Sequence, residues 1–311
     1  MRKSFWIVLA VAAVMLWLEG VEAIAQDIHE KAGTRAAQFL NIAVGARAVG
    51  MGESHVAAAD DVYAVHWNPA GLSYAGTNQL GFMHNEWFED IRYEFLGYAQ
   101  PLGNFGTLAG SVAFVYLGEL EKTDETGRVT DYFHPYDISF ALSFGKQLSS
   151  SISAGINAKF LREQIDGREA QAFAVDIGGL YSLPNTGLIL GANIQNVGTG
   201  LKFVEESFAL PVNVVLGAAY KSMDDALTLV VDVNRPTDAS PDMGLGAEYR
   251  VMNTVSLRTG YRYTIGGNDL GTASGLRAGL GVKVGGYEFD YAFVFYGDLG
   301  QTHRVSWVAK F

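Results

Sequence analysis

From residue 78 to Phe311 the chain alternates at period two, run after run, with turn-forming residues between the runs. The last run, "QTHRVSWVAKF", puts His303, Val305, Trp307, Ala309 and Phe311 on one face, and Thr302, Arg304, Ser306, Val308 and Lys310 on the other. "YEFDYAFVFY" sets Tyr287, Phe289, Tyr291, Phe293 and Phe295 against a face that begins Glu288, Asp290. "GLRAGLGVKV" sets Leu276, Ala278, Leu280, Val282 and Val284 against Arg277, Gly279, Gly281 and Lys283. "VSLRTGYRYTI" sets Val255, Leu257, Tyr261, Tyr263 and Ile265 against Ser256, Arg258 and Arg262. Successive side chains of an extended strand point to opposite faces, so this pattern demands sheet with two unlike faces.

Two architectures satisfy that demand. A soluble antiparallel sheet turns its apolar face to a core. A transmembrane barrel turns it to lipid and lines its lumen with the polar face. Loop lengths separate the two. The alternation reads as 14 strands near 78–84, 92–100, 106–117, 136–144, 151–162, 171–181, 188–196, 211–220, 226–234, 242–249, 255–265, 275–284, 287–296 and 302–311. The connections after the second, fourth and later even strands are short, around 101–105, 145–150, 182–187, 221–225, 250–254 and 285–286. Those after the odd strands are mostly longer: "NEWFEDI", "GELEKTDETGRVTDYFHP", "EQIDGREA", "VGTGLKFVEESFAL", "NRPTDASP", "GGNDLGTAS" and "GDLGQ". Short periplasmic turns, long outer loops and an even strand count are the rule of bacterial outer-membrane barrels. A sandwich has no reason to sort its loops by parity.

Composition agrees. The chain is 49% hydrophobic and 12% aromatic with 37 glycines, and only 18% of it is charged, against about 25% for a soluble domain. Aromatics near strand ends, such as Trp87, Phe88, Tyr132, Phe133, Tyr181, Tyr249, Tyr296, Trp307 and Phe311, read as interfacial girdles. The inward charges Glu248, Arg258, Arg262, Arg277, Lys283, Glu288, Asp290 and Arg304 read as lumen-lining. The fold class is therefore all-β: a transmembrane antiparallel β-barrel of about 14 strands.

The N-terminus supplies the route. Arg2 and Lys3 precede an apolar run from Phe5 to Leu18, and Ala23-Ile24-Ala25 is an A-x-A cleavage pattern. Residues 1–25 read as a signal peptide, residues 26–77 as a separate unit and residues 78–311 as the barrel. Beyond the signal no run approaches the ~18 apolar residues of a spanning helix. With no cysteine there is neither a disulfide framework nor a thiolate metal site, and a net charge of −11 disfavours nucleic acid.

Residues 26–77 do not alternate. "AAQFLNIAVGARAVGMG" reads as a short helix and a glycine-rich bend, and "HVAAADDVYAVHWNPAGL" as a second short helix stopped by Asn68-Pro69. Gly50-Met51-Gly52 lacks the third glycine and the βαβ setting of a dinucleotide loop. His55, Asp60, Asp61 and His66 match no metal-ligand spacing, so the aspartates read as turn caps. There is no G-x-S-x-G elbow and no H-E-x-x-H, and the expectation is of a protein without cofactor, metal or enzyme activity.

These residues carry a resemblance. "FLNIAVGARAVGMGESHVAAADDVYAVHWNPAGL" is similar to the N-terminal signature of the PorV/PorQ family of outer-membrane proteins, relatives of the FadL-type channels. Its most specific part is Asp60-Asp61 with Trp67-Asn68-Pro69-Ala70-Gly71-Leu72; "FALPVNVVLGAAY" and "THRVSWVAKF" also look like this family. The resemblance implies a FadL-like barrel in the cell outer membrane, in contact with its lipid. It also implies a helical or irregular hatch inside the lumen, carrying Gly45, Arg47, Gly50, Gly52, Asp60, Asp61, Trp67, Asn68, Pro69 and Gly71. For function it implies a part in type IX secretion, with secretion components or the C-terminal signal domains of cargo as partners. The loop 197–210, with Leu201, Phe203, Val204 and Phe208 among charges, is one candidate partner surface, and the loop 118–135 the other; the alternative is a loop folded over the barrel mouth. A second functional reading is uptake of a hydrophobic ligand such as a fatty acid, and a third a porin-like barrel with a permanent plug.

Overall fold

The structure, a computed structural model, describes residues 32–266 and 272–311. The expected signal peptide, the first residues of the expected hatch and part of the "GGNDLGTAS" loop lie outside the described residues. In chain order the strands are β1 (Gln79–Glu86), β2 (Arg92–Pro101), β3 (Thr107–Tyr116), β4 (Leu120–Thr123), β5 (Val129–Phe133), β6 (Tyr136–Gln147), β7 (Ile152–Ile165), β8 (Arg168–Ser182) and β9 (Leu188–Gly198). They continue with β10 (Leu201–Lys202), β11 (Ser207–Phe208), β12 (Asn213–Ser222), β13 (Leu227–Pro236), β14 (Asp242–Val251), β15 (Val255–Thr264), β16 (Leu276–Val284), β17 (Tyr287–Phe295) and β18 (Gln301–Lys310).

Fourteen of these, all but β4, β5, β10 and β11, close into one barrel in which each strand pairs antiparallel with its neighbours and β1 meets β18. The strands expected from alternation are all present. The four extra short strands form two hairpins within loops that read as irregular. The reason is local turn chemistry. At the β4–β5 tip, Asp124 Oδ1 accepts from the Thr126 N–H (2.8 Å), the Thr126 hydroxyl (2.7 Å) and the Arg128 N–H (3.0 Å), and Gly127 takes φ +79°. "EQIDGREA" is not a long loop. β7 and β8 run on through it, leaving a two-residue turn at Asp166 and Gly167, both with positive φ, as an Asp-Gly hairpin turn prefers.

A band of apolar side chains stands exposed around the wall, including Phe82, Leu96, Leu142, Ile177, Leu245 and Leu257. Such a continuous apolar band suits lipid and not water.

The interior is filled by residues 32–77. This hatch holds little regular structure: 3-10 turns at Gln38–Asn41 and Pro69–Tyr74 and single helical turns at Ala46–Gly50 and Ala64–Trp67. The expected second helix is only four residues long. Asn68 ends it in an extended conformation, and its Oδ1 then caps the 3-10 turn by accepting from the Ala70 N–H (3.1 Å). Val44, Val49, Val56, Val62 and Leu72 of the hatch are completely buried. The wall makes room with inward glycines. A Cβ on Gly155 would overlap the backbone of Pro69 and Ala70, and one on Gly260 the backbone of Met51 and Gly52.

Candidate functional site

The polar interior that joins hatch to wall is the candidate site. A segment with so little secondary structure leaves its backbone groups unpaired, and buried ones need partners. The wall supplies them with side chains. Asn157 Nδ2 donates to the Val65 carbonyl (3.2 Å), Asn193 Nδ2 to that of Trp67 (2.8 Å) and Gln195 Nε2 to that of His66 (2.8 Å). Asp232 Oδ2 accepts the N–H groups of His55 (2.6 Å) and Val56 (2.8 Å). Gln79 accepts from Val62 N–H (3.0 Å) and Ser306 from Ala46 N–H (3.0 Å). In return, the hatch's Asn68 Nδ2 donates to the carbonyls of Val56 (2.8 Å) and, on the wall, Gly179 (3.2 Å), and Tyr63 OH to that of Phe82 (2.7 Å).

Among the described residues, the charges that meet the hatch form two clusters. Toward the short-turn end, Arg47 grips Glu248 with Nε (3.1 Å) and Nη2 (3.2 Å) and reaches Asp60 with Nη1 (2.6 Å). Arg258 shares Glu248 (2.6 Å) and also holds Asp290 (2.5 Å), with Glu288 at 3.6 Å. Lys221 lies 3.3 Å from Asp60. This cluster borders a cavity of about 310 Å³ at that mouth, where Lys283 stands at the rim with Arg250 and Lys310.

Toward the long-loop end, Glu53 is bonded to Arg262 and lies 3.4 Å from Arg277 and 3.9 Å from Arg304. Arg262 also holds Asp242 (2.8 Å). These groups line a second cavity of about 330 Å³ with Trp87 and Tyr296. That placement corrects the girdle reading for two residues. Trp87 and Tyr296 pack on each other over the lumen, with the Arg304 guanidinium 5.1 Å from the Trp87 ring and that of Arg277 5.3 Å from the Tyr296 ring.

Burial works against the charge of Glu53, but Arg262, then Arg277 and Arg304, hold its carboxyl down at about 2. Burial first, and the neighbouring Asp60 second, push Asp61 up to about 6. Burial and then the Arg47 charge push His55 down to about 3, which leaves its imidazole neutral.

The other sequence-derived residues fall as follows. Asp61 accepts from the Tyr63 N–H (2.9 Å), a turn cap, whereas Asp60 is an ion-pair partner and no cap. Trp67 Nε1 donates to the Val44 carbonyl (2.8 Å). Gly45 has φ +83° and packs under the Tyr63 ring, Gly50 abuts Gly279, Gly52 lies on Leu245 and Tyr261 of the wall, and Gly71 lies on Ala59. Pro69 rests on Gly145 and Gly155. The loop surface needs correction. Leu201 is completely buried and Phe203 packs half-buried on the same core as Ala37, Phe39 and Leu210; only Val204 and Phe208 are exposed. The loop folds over the mouth because its apolar residues find the hatch's apolar N-terminal turn beneath them. The hairpin β4–β5, by contrast, is exposed along nearly all its length.

Sequence reasoning missed Glu53, Tyr63, Asn157, Asn193, Gln195 and Asp232. A signal was present: Asn, Asp and Gly are depleted in strands, yet they recur here at inward positions, which marks a wall built to face another backbone.

The apolar concavities lie elsewhere. One, of about 610 Å³, is lined by Leu96, Tyr98, Phe140, Leu142, Phe160 and Phe173, and the other, of about 660 Å³, by Ile152, Tyr181, Leu190 and Leu216. Both face outward on the wall.

Comparison with known proteins gives one family and one fold. The family described as "Type IX secretion system protein PorV" matches residues 25–237. No curated relative matches the chain by sequence. Among solved structures, the CymD monoaromatic hydrocarbon channel is similar with a TM-score of 0.65 at 12% identity, over 87% of this chain and 98% of that one. The Ralstonia pickettii toluene transporter TbuX gives 0.62 at 12% identity over 86% and 98%, and a Pseudomonas aeruginosa FadL homologue 0.55 at 12% over 86% and 98%. At such identities the likeness is one of fold: a FadL-like barrel of the outer membrane.

Proposed function

The chain belongs to the PorV family of type IX secretion system proteins, and on that premise we propose that it acts as a docking barrel in the outer membrane. Exported cargo or partners of the secretion apparatus bind its outer loops while its lumen stays shut. The observation that carries this reading is the way the hatch is fixed. It is hydrogen-bonded or ion-paired to β1, to β7 through β9, and to β13, β14 and β18. The cavities beside it at the two mouths are lined by charged groups. A lumen of that kind offers no apolar path, so the work falls to what projects from the barrel. Among the described residues the β4–β5 hairpin is exposed along nearly all its length, and it carries Glu121, Lys122, Asp124, Glu125 and Asp131 around a hydrogen-bonded turn.

The test is capture of partners from outer membranes with the intact protein and with residues 119–134 replaced by a short turn. Loss of secretion components or cargo in the second case, with the heat-modifiable barrel still formed, is the expected result. Equal capture by both proteins sinks the hairpin's role.

The second reading is a channel for hydrophobic small molecules. The solved structures that share its fold include two described as hydrocarbon or toluene transporters, and two apolar concavities mark the outer wall. That reading requires uptake by whole cells to fall when the gene is deleted, with partner capture unaffected.

A further inference from the structure

Gly179, on the outer wall, is a glycine that the fold does not require. Its neighbour Gly178 on β8 faces the hatch, and a Cβ there would overlap Asn68. Gly179 faces outward and its φ is not positive. A Cβ on it would meet nothing closer than the Ser153 carbonyl at 3.9 Å. Glycine inside a strand weakens it, and where packing does not demand it, it marks the close approach of something else.

The register shows what Gly179 makes room for. It pairs with Ala154 on β7 and with Ala192 on β9. This low row runs between two high ones: Ile152, Tyr181 and Leu190 toward the short turns, and Ile156, Ile177 and Ile194 toward the long loops. The low row and the first high row line the outward concavity of about 660 Å³, which Leu216 and Ala218 of β12 close on one side. An apolar groove of that size is within the range of sites that take a small ligand, and its narrow form suits a chain of methylenes.

At its other end the groove runs up to a charge. Lys146 stands in register with Ala154, on the face of β6 that also exposes Phe140 and Leu142. The wall residues Lys221, Arg250, Lys283 and Lys310 at the same end line the cavity inside the mouth. Among the described residues Lys146 is the one basic residue at this end on the outward face. The turns beside it, 102–106, 148–151 and 183–187, hold no carboxylate. They do hold the exposed apolar residues Leu102, Phe105 and Leu148. A lysine among exposed apolar side chains at the end of a spanning wall lies at the depth of lipid head groups. A phosphodiester meets that lysine. The extra ammonium of a zwitterionic head finds no carboxylate on these turns, whereas a head that carries only the phosphate charge leaves nothing unpaired.

We propose that this groove holds a glycerophospholipid of the periplasmic leaflet, with an acyl chain over Ala154, Gly179 and Ala192 and an anionic phosphodiester head at Lys146. The site lies on the opposite face of the wall from the hatch. It goes beyond the loop-docking reading and does not depend on it.

The experiment takes the full-length protein, purified from outer membranes, into detergent micelles. These contain equal amounts of phosphatidylglycerol and phosphatidylcholine with the same acyl chains. Native mass spectrometry then counts the lipids that each barrel keeps. The expected spectrum shows a single retained lipid, with phosphatidylglycerol over phosphatidylcholine by about fivefold, the factor that one lysine supplies at an anionic lipid surface. Gly179→Leu fills the groove without touching the hatch and loses the retained lipid of either kind. Lys146→Gln keeps a lipid but loses the preference. Ala278→Leu adds bulk to the outward face of β16 and behaves as the parent. Heat-modifiable mobility checks that each barrel has formed, and Lys146→Gln tests the head group even if Gly179→Leu does not fold. A parent barrel that keeps no lipid, a preference that survives in Lys146→Gln, undiminished retention by a folded Gly179→Leu, or a dimer in place of the lipid overturns the proposal.

Discussion

The hatch meets two unlike walls. From β6 to β9 the wall is neutral where it touches: amides from Asn157, Asn193 and Gln195 take up backbone carbonyls, and inward glycines let Pro69 and Asn68 lie directly on the strands. From β14 to β18 it is ionic: Glu248, Arg258, Arg262, Arg277, Asp290 and Arg304 meet Arg47, Glu53 and Asp60. The neutral contacts complete a backbone that cannot complete itself, so each is worth a modest, local amount. The ionic contacts share partners, and removing one member strands the others. The family match respects this division. It takes in the hatch and the strands through β13, and ends at residue 237, before the ionic strands begin at Asp242.

The sharpest test of that contrast is Glu248→Ala. It leaves Arg47 and Arg258 with a shared buried partner gone and is expected to cost about 3–5 kcal/mol. Asn193→Ala on the other wall frees a single carbonyl and costs about 1–2 kcal/mol. Urea titration of the heat-modifiable form compares them, and equal costs would erase the distinction. Next comes Gly155→Val. Its side chain collides with the Pro69 backbone while the outward face is untouched. The barrel should still form, but the hatch should shift and ion conductance should appear in planar bilayers where the parent is silent. Gly110→Ala, whose Cβ would meet nothing closer than 3.8 Å, is the control.

Asn68→Ala is smaller again. It removes the cap of the Pro69–Tyr74 turn and the bonds to Val56 and Gly179, for about 1–3 kcal/mol. The loss should appear as faster amide hydrogen exchange confined to residues 55–72.

The smallest effect is that of pH. Glu53, held at about 2, adds stability that is complete above its unfolded value near 4.5 and disappears as pH falls through 2. Asp61, pushed up to about 6, acts in the opposite sense. Its neutral form suits the fold, and stability is lost as pH rises from about 4 past 6. Asp61→Asn should therefore flatten the decline in stability between about pH 4 and pH 6, by about 1 kcal/mol, since Asp60 beside it shifts the other way. An unchanged slope would remove Asp61 from the account.

Legibility followed chemistry. Fourteen strands were readable because lipid on one side and a polar lumen on the other force a strict alternation, and because loop length sorts by side. The β4–β5 hairpin was also written locally, in "TDETGR", but charge density made it read as plain loop. The loop at Leu201 and Phe203 read as an exposed surface because sequence shows that a residue is apolar without showing what lies beneath it.

Sequence alone thus gave the barrel and its strand count, and set residues 26–77 apart from it, all of which rest on periodicity within a few residues. Only the tertiary structure decided which charges meet. Arg47 and Glu248 stand 201 positions apart, and Glu53 and Arg262 209. Closing the barrel places inward groups on one ring and the hatch at its centre. Partners are then chosen by register and depth, quantities that no local pattern encodes.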